Sequence, residues 1–323
     1  MGRQQFNLLK NNEHEWKKIC NDLSGLPVFM WSVWLDAVSK NWSVNTLHDA
    51  ENQLVGAIVF QTGSKYSIKT IINPHMTPYH GLWFNDQIFK TEKDKISKYK
   101  KISAVLIDSL PESGYINIRL PTLINDVQEF KWKGFDAHVR YTYKISRDTD
   151  LEKLWSLLDY KRRNAIVKAQ KELFIEETND IQQHYLTVQQ TFKRANEHHP
   201  VTLETYKSMF DGLNATGHAK IFCIKDENKI AQASLLLIWD HSTAYMISHG
   251  TADNAHRGAT SLLIWNAIEF SIQKKLDLDF EGSDIQRIES FYRDFGGDLT
   301  PYFQVIRVKN SLLRALFYAL KKL

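Results

Sequence analysis

"NKIAQASLLLIWDHSTAYMI" (residues 228–247) contains two apolar runs separated by the polar triplet Asp240-His241-Ser242. Apolar runs of this length on either side of turn-forming residues predict a β-hairpin with buried strands. The same layout occurs earlier in "NQLVGAIVFQTGSKYSIKTI" (52–71), where Thr-Gly-Ser is the predicted turn. The chain is therefore predicted to contain one type of hairpin twice.

The segments after each hairpin also correspond. A polar loop, a helix, a strand and an aromatic, basic turn before a final strand follow in both halves. In the first half these are residues 73–81, 88–110, 115–120 and 129–145, and in the second half 249–258, 259–275, 276–280 and 290–306. Because such a unit has the length of a domain, we predict an α+β fold of two duplicated domains, 1–147 and 148–323. Each is expected to have a mixed, mainly antiparallel sheet flanked by helices.

The segment before the second hairpin is rich in charge. "DLEKLWSLLDYKRRNAIVKAQKEL" (150–173) is predicted to form one helix that opens the second domain, followed by a strand, "FIEET", and by further helices. The part from Lys161 to Lys171 carries five positive side chains and no acidic partner at helical spacing. We read this face either as solvated or as a binding surface for a phosphate-bearing substrate.

Composition narrows the class of protein. The chain has 323 residues, a formal charge of +4 and two widely separated cysteines, Cys20 and Cys223. This charge is compatible with phosphate ligands but is not typical of a dedicated nucleic-acid-binding protein. The cysteines favour a reducing compartment, and no metal site is expected from their spacing. Without an apolar N-terminal run, a cytoplasmic location is expected.

Three stretches resemble a known enzyme family. Residues 155–172, 257–271 and 278–303 are similar to the opening basic helix, the long helix and the closing strand-helix-turn of the double-domain, Fem-like branch of the GNAT acyltransferase superfamily. "MTPYHG" (76–81) is a weaker match. This branch includes the Fem-type peptidoglycan aminoacyl transferases and a related acetyltransferase domain. The resemblance implies tandem GNAT-like domains and an N-acyltransferase.

The resemblance also implies substrates. The expected donor is acyl-CoA, used as a co-substrate and not as a tightly bound cofactor. The expected acceptor is a small-molecule or lipid-linked amine, such as a cell-envelope precursor or a sugar nucleotide. Aminoacyl-tRNA is the alternative donor. A non-catalytic binding module is a third reading, because Ala255 occupies the place of a Gln or Arg in the usual GNAT pyrophosphate loop, and Tyr292 the place of a Fem-type lysine.

Three residues are the candidate catalytic groups. Glu281 follows a predicted apolar strand and precedes Gly282, so its carboxylate is placed to accept a proton from an attacking amine. His249 ends the second hairpin, and its imidazole is an alternative base. Tyr292 lies on the apolar face of a helix predicted over 284–295, where it either packs inward or offers its hydroxyl to the site.

The remaining candidates are binding residues. Arg257, Gly258 and Ala259 begin the long helix, whose N-terminal N–H groups and dipole favour a pyrophosphate. The candidate substrate-binding residues are Arg162, Arg163, Tyr79, Gly81, Ser283 and Arg293. Finally, residues 309–323 are predicted to form an amphipathic, basic helix that either docks on the second domain or contacts an anionic membrane surface.

Overall fold

The structure is a computed structural model that describes residues 6–88, 91–282, 285–310 and 314. It divides into two compact units. The first comprises the described residues up to Arg140 together with those from Pro301 onward, and the second is Tyr141–Thr300. The predicted α+β class with mixed sheets and flanking helices is confirmed, but the domain boundaries predicted at 147 and 148 need correction, because the chain changes unit twice.

The first unit contains strands and helices up to the middle of β7. Its elements are β1 (Asn7–Leu9), α1 (Glu13–Ile19), α2 (Ser32–Val38), β2 (Trp42–His48), β3 (Leu54–Lys65), β4 (Ile68–Ile72), β5 (Leu82–Phe84), α3 (Glu92–Asp108), β6 (Tyr115–Arg119), α4 (Gln128–Trp132) and β7 (Asp136–Ile145). The sheet order is β1-β2-β3-β4-β6, with β5 paired to β3, and β4 runs parallel to β6.

The first hairpin is confirmed, but its turn is not at Thr-Gly-Ser. Strand β3 continues through Thr62, Gly63 and Ser64, which pair with β4. The turn is formed by Tyr66 and Ser67, both with positive φ of 52° and 63°. Two consecutive left-handed residues match the twist of the flanking strands. The chain therefore turns at the two-residue loop Tyr66-Ser67 and not at Gly63.

The second unit contains the other repeat. Its elements are α5 (Leu151–Leu157), α6 (Tyr160–Glu172), β8 (Phe174–Thr178), α7 (Ile181–Arg194), α8 (Leu203–Asn214), β9 (Ala219–Lys225), β10 (Ala231–Trp239), β11 (Thr243–Thr251), α9 (Ala259–Gln273), β12 (Asp277–Asp279), α10 (Gln286–Arg293) and the start of β13 (Asp298–Val308). The sheet order is β7-β12-β11-β10-β9-β8, with β11 parallel to β12.

Two helices differ from their predicted bounds: one predicted helix is divided into two, and another begins later than predicted. The charged segment 150–173 forms two helices, α5 and α6, because Leu158 is extended and the Asp159 carboxylate caps α6 by accepting from the Lys161 N–H. Helix α10 begins at Gln286, with Ile285 as the residue before it, and Gly296 at φ 76° provides the predicted stop. The predicted cap, Ser283, and all but Arg314 of the predicted helix beyond residue 310 lie outside the described residues.

The two repeats exchange their final strands. In each, a hairpin strand is joined through a helix to a parallel neighbour, β4 to β6 through α3 and β11 to β12 through α9. The strand that ends the first repeat, β7, pairs with β12 in the second unit. The strand that ends the second repeat, β13, pairs with β6 in the first unit. The predicted duplication is therefore confirmed, with each final strand placed in the other unit.

The core of the second unit lies between its sheet and helices α5, α6, α9 and α10. Helix α6 packs closely on the start of α9, where a Cβ on Gly258 would clash with the Ala165 carbonyl oxygen. Glycine is therefore required at this contact by space and not by its own φ. Among the described residues, no helix combines the length and the apolar character needed to cross a bilayer.

Candidate active site

Strand β11 extends well beyond its parallel neighbour. Only Thr243–Tyr245 of β11 pair with Asp277–Asp279 of β12, whereas β11 continues to Thr251. On its other side β11 stays paired with β10 as far as Ala233↔Thr251. Among the described residues, the second half of β11 thus has an edge with no strand beside it. We refer to the space where β12 is missing as the strand gap.

A bulge lies at the start of this edge. Leu236 of β10 pairs with Ser248 and Leu237 pairs with Met246, so Ile247 is an extra residue on β11. A bulge of this kind bends the strand and redirects the side chains that follow it. Ser248 and His249 follow the bulge, where Ser248 contacts His184 of α7 and His249 packs beside Tyr292 of α10.

The chain leaves β12 through two consecutive left-handed residues. Glu281 and Gly282 have φ of 62° and 60°, and the Glu281 N–H donates to the Asp279 carboxylate at 2.8 Å. A Cβ on Gly282 would clash with the Tyr141 carbonyl oxygen. This turn places the half-buried Glu281, including its buried Oε1 atom, at the strand gap.

His249 and Tyr292 lie close together beside Glu281. Their ring centroids are 6.1 Å apart, and the Tyr292 ring also packs on Phe280 at 5.3 Å. Burial lowers the pKa of His249 to about 4, so its imidazole is neutral at pH 7. Burial, with the nearby charge of Glu281, raises the pKa of Tyr292 well above its ordinary value, so its hydroxyl remains a proton donor. The structure thus brings the three predicted catalytic residues together.

A second set of polar side chains reaches the strand gap from helices α7 and α8. His184 of α7 is fully buried and contacts Ser248, and Tyr206 of α8 is fully buried as well. Burial lowers the pKa of His184 to about 3 and raises that of Tyr206, on which the Glu281 charge also acts. Neither residue was predicted from the sequence. Their one signal is a polar residue on the buried face of an amphipathic helix, which does not by itself indicate a site.

A cavity of about 450 Å³ lies where α6 meets the start of α9. Its lining includes Lys161 and Lys168 of α6 and His256, Arg257 and Gly258 of the loop before α9. Helix α9 has no side-chain cap at its N-terminus. The cavity therefore combines cationic side chains with the positive end of a fifteen-residue helix, which suits an anionic ligand.

The predicted cofactor-binding residues contribute unequally to this cavity. Arg257 is exposed and lines it, and Gly258 permits the close approach of α6. Ala259 is buried, and its N–H already donates to the His256 carbonyl oxygen at 3.0 Å. On the α6 side of the cavity the positive charge comes from Lys161 and Lys168. Both were predicted as part of the basic helix and not as partners of the loop before α9.

The two predicted arginines of α6 have structural partners. Arg162 donates to Ser261 Oγ at 3.0 Å and to the Asp294 carboxylate at 2.8 Å, and it lies over the Phe291 ring at 4.1 Å. Arg163 donates to the Ser156 carbonyl oxygen at 3.0 Å. These contacts join α6 to its neighbours, so the charges of Arg162 and Arg163 are already used within the fold.

The other predicted substrate residues are not brought to the strand gap as a group. Tyr79 belongs to the first unit, where it is buried and its ring packs edge-on against Phe29 and Tyr302. Gly81, also in the first unit, has φ of 101°, and a Cβ there would lie 3.0 Å from the Ile118 and Leu120 side chains. Arg293 is exposed and lies 3.4 Å from Glu289. Ser283 lies outside the described residues.

Comparisons with known proteins identify the fold. Residues 136–286 match the family model described as acetyltransferase (GNAT) domain. The crystal structure of FemX is similar with a TM-score of 0.70 and 11% identity, covering 96% of this chain and 99% of that one. The C-terminal domain of a protein assigned as a lysylphosphatidylglycerol synthetase from Agrobacterium fabrum is similar with a TM-score of 0.53 and 11% identity, covering 86% of this chain and 88% of that one. No curated protein matches the chain by sequence.

A tandem GNAT protein from the clavulanic acid biosynthesis pathway is also similar, with a TM-score of 0.51 and 9% identity, covering 94% of this chain and 98% of that one. At such identities these likenesses show the fold alone. The resemblance to Fem-like, tandem GNAT proteins is therefore confirmed at the level of the fold. The prediction of an acyltransferase is confirmed at the level of the domain family by residues 136–286.

The requirement for glycine at position 282, in the turn after β12, can be tested by measuring the free energy of unfolding. Replacing Gly282 by Ala should lower the free energy of unfolding by about 2–3 kcal/mol, because the left-handed backbone and the clash with Tyr141 act together. Gly217→Ala is the matched control, because Gly217 has φ of 74° and nothing within 4 Å of an added Cβ. The control should lose only about 1 kcal/mol in urea unfolding. Equal losses in the two variants would exclude the backbone clash.

Buried, neutral His184 should make stability depend on pH. The unfolded chain protonates this imidazole below pH ~6.5, whereas the folded chain holds its pKa at about 3. Stability is therefore full above pH ~6.5 and falls as the pH drops toward 3, by about 1.4 kcal/mol per pH unit for each such group. His184→Gln should reduce the slope of the unfolding free energy against pH by about 1.4 kcal/mol per pH unit, which corresponds to one bound proton. The measurement is urea unfolding at several pH values. An unchanged slope in the His184→Gln variant would contradict a buried, neutral His184.

Proposed function

We propose that the protein is an N-acyltransferase that moves an acyl group from acyl-CoA to an amine, because residues 136–286 match the acetyltransferase (GNAT) domain model. The observation that carries this proposal is the strand gap, where an edge of β11 with no strand beside it among the described residues lies near Glu281, His249 and Tyr292. An acyl thioester laid along this edge has main-chain N–H donors on one side and ionisable side chains on the other. Direct attack by the amine needs no covalent enzyme intermediate.

Glu281 is the proposed base. It sits at the end of a central strand, and its charge acts on both Tyr206 and Tyr292, so it lies near the middle of the polar groups around the gap. His249 is neutral above a pH of about 4 and is a weaker base, and we assign it the orientation of the amine. The Tyr292 hydroxyl is the donor available to a leaving thiolate. Backbone N–H groups of β11 would stabilise the oxyanion that forms on the acyl carbonyl.

The cavity between α6 and α9 is the proposed site for the phosphates of the donor. Lys161, Lys168 and Arg257 provide positive charge, and the uncapped start of α9 provides main-chain N–H groups. This arrangement performs the task of the usual pyrophosphate loop although Ala255 replaces its first polar residue. The phosphates of CoA carry the complementary charge.

The acceptor is proposed to be an amine on a cell-envelope precursor, a sugar nucleotide or a lipid-linked saccharide. The support is the resemblance of the chain to Fem-like proteins, together with the fold shared with FemX and with the lysylphosphatidylglycerol synthetase domain. A cytoplasmic location with peripheral membrane contact would suit a lipid-linked acceptor.

The reaction is tested by thiol release from acyl-CoA in the presence of amine acceptors. Glu281→Gln should lower kcat by about 10²–10⁴-fold, because it removes the base and keeps the shape of the side chain. Glu177→Gln is the matched control, because Glu177 is an exposed carboxylate of β8 paired with Lys220. Full activity in the Glu281 variant would exclude Glu281 as the base, and no release with any acyl-CoA would exclude this donor.

The phosphate site is tested by separating KM from kcat. The double variant Lys161→Ala, Lys168→Ala should raise KM for acyl-CoA by roughly tenfold and leave kcat close to that of the parent, since exposed charges act on binding. Lys171→Ala is the matched control, because Lys171 lies on the same helix and does not line the cavity. An unchanged KM would place the donor phosphates elsewhere.

Two alternatives are separated by the same assays. If aminoacyl-tRNA is the donor, release of the amino acid will be abolished by ribonuclease and acyl-CoA will give no thiol. If the protein is a non-catalytic binding module, calorimetry will detect binding of CoA without turnover. The degenerate pyrophosphate loop and Tyr292 in place of the family's lysine are the features that favour testing this last case.

A further inference from the structure

Helix α7 lies along one face of the part of β11 that, among the described residues, has no parallel neighbour. We call this part, residues 246–251, the open half of β11. A Cβ on Gly250 would lie 2.6 Å from the Thr187 carbonyl oxygen, so α7 packs directly on the strand. One turn further along α7, Thr191 Oγ1 accepts from the Thr251 N–H at 2.9 Å. The helix thus contacts the open half at successive turns.

One turn earlier on α7, a fully buried histidine joins the two strands of the second hairpin. His184 Nδ1 lies 2.7 Å from Ser234 Oγ of β10, and its Nε2 lies 2.8 Å from Ser248 Oγ of β11. The imidazole is 0% exposed, and burial lowers its pKa to about 3, so it is neutral at pH 7. A neutral imidazole has one donor and one acceptor nitrogen, and a hydroxyl can serve either. Both hydrogen bonds are therefore made in either tautomer.

The strand register explains why these side chains meet on one face. Ser234 pairs directly with Gly250, and Ser248 lies two residues before Gly250, so all three face α7. His249 lies between the two β11 residues and therefore points to the opposite face. There its ring centroid is 6.1 Å from that of Tyr292. A contact that fixes Ser248 against α7 thus also fixes the direction of His249.

The bulge in β11 gives this contact its importance. Ile247 is the extra residue on the strand, and Ser248 is the first residue after it. A bulge disrupts the ladder locally and lets the strand bend. Among the α7 contacts given above, the one from His184 is made at this first residue. The His184–Ser248 hydrogen bond therefore sets the course of the strand where the ladder is disturbed.

We propose that His184 is a positioning residue for acyl transfer, acting through Ser248 to hold the main chain and the imidazole of His249 in place. The inference rests on the acyl transfer proposed above, in which His249 orients the amine and N–H groups of β11 stabilise the oxyanion. In this role His184 touches no substrate and transfers no proton. A displacement of about 1 Å in groups that orient the reactants can lower the rate by about a hundredfold.

The test compares two replacements of His184. Leucine fills a similar volume without a polar atom, whereas glutamine keeps one donor and one acceptor for the two serines. We expect His184→Leu to lower kcat by roughly tenfold to a hundredfold, because the reacting groups lose their alignment. KM for acyl-CoA should be unchanged, because the donor phosphates are bound at the cavity between α6 and α9. His184→Gln should keep kcat within about threefold of the parent.

A second variant addresses the same contact from the strand. Ser248→Ala removes only the hydrogen bond to β11, so it decides the proposal even where His184→Leu does not fold. It should lower kcat by the same roughly tenfold to hundredfold. Ser271→Ala is the matched control, because the Ser271 hydroxyl also belongs to the second unit and donates to the Ala267 carbonyl oxygen within α9.

Each outcome decides the proposal. Parent kcat in Ser248→Ala would overturn the positioning role, and so would a change in KM in place of kcat. Equal losses in His184→Leu and His184→Gln would overturn it as well, because the hydrogen bonds would then not be responsible. A loss matched by Ser271→Ala would show only a general cost of removing a hydroxyl and would also overturn it. Loss of kcat in His184→Leu and Ser248→Ala alone would support the proposal.

A second measurement does not depend on turnover. Because the His184–Ser248 bond holds the open half of β11, Ser248→Ala should speed amide hydrogen exchange in residues 246–251 by roughly tenfold, and Ser271→Ala should not. Unchanged exchange would overturn the attachment whether or not any donor reacts. A parent protein that transfers no acyl group would instead overturn the proposed function, and the exchange rates would still decide whether His184 holds the strand.

Discussion

Strand β12 ends at Asp279, and this early end is the constraint on which the second unit's site depends. Glu281 and Gly282 turn the chain in the left-handed conformation, and the close approach to Tyr141 leaves no room for a side chain at Gly282. As a result, within the part of the chain that the structure describes, β11 continues beyond Tyr245 without a parallel neighbour. After the bulge at Ile247, Ser248 contacts His184 of α7 and His249 packs beside Tyr292 of α10.

Burial determines the protonation states around this opening. Desolvation lowers the pKa of His184 and His249 and raises the pKa of Tyr206 and Tyr292, so at neutral pH the imidazoles are uncharged and the phenols are protonated. In the proposed function, Glu281 is the charge around which these neutral donors and acceptors are arranged.

Much of the fold could be predicted because its signals are local. Both hairpins, the long helix α9 and the strands after α3 and α9 follow from apolar periodicity and turn residues within a few positions of one another. The division of segment 150–173 at Leu158 and the turn at Tyr66-Ser67 were not predicted, since each depends on backbone geometry that a residue pattern does not specify. The exchange of β7 and β13 could not be predicted, because strand pairing over such distances is decided by packing and not by the strands' own sequences.

The candidate site shows the same division between what local sequence signals predict and what tertiary packing decides. By itself the sequence determined that Glu281, His249 and Tyr292 are chemistry-bearing residues at element ends, because a glycine turn, a hairpin end and an amphipathic helix are each readable from neighbours in the chain. Only the tertiary structure decided which polar residues meet. It joined Arg162 to Asp294 and brought Lys168 to Gly258. It also set His184 beside Ser248 and Tyr206 beside His184, because helix packing on a sheet brings together side chains that are far apart in sequence.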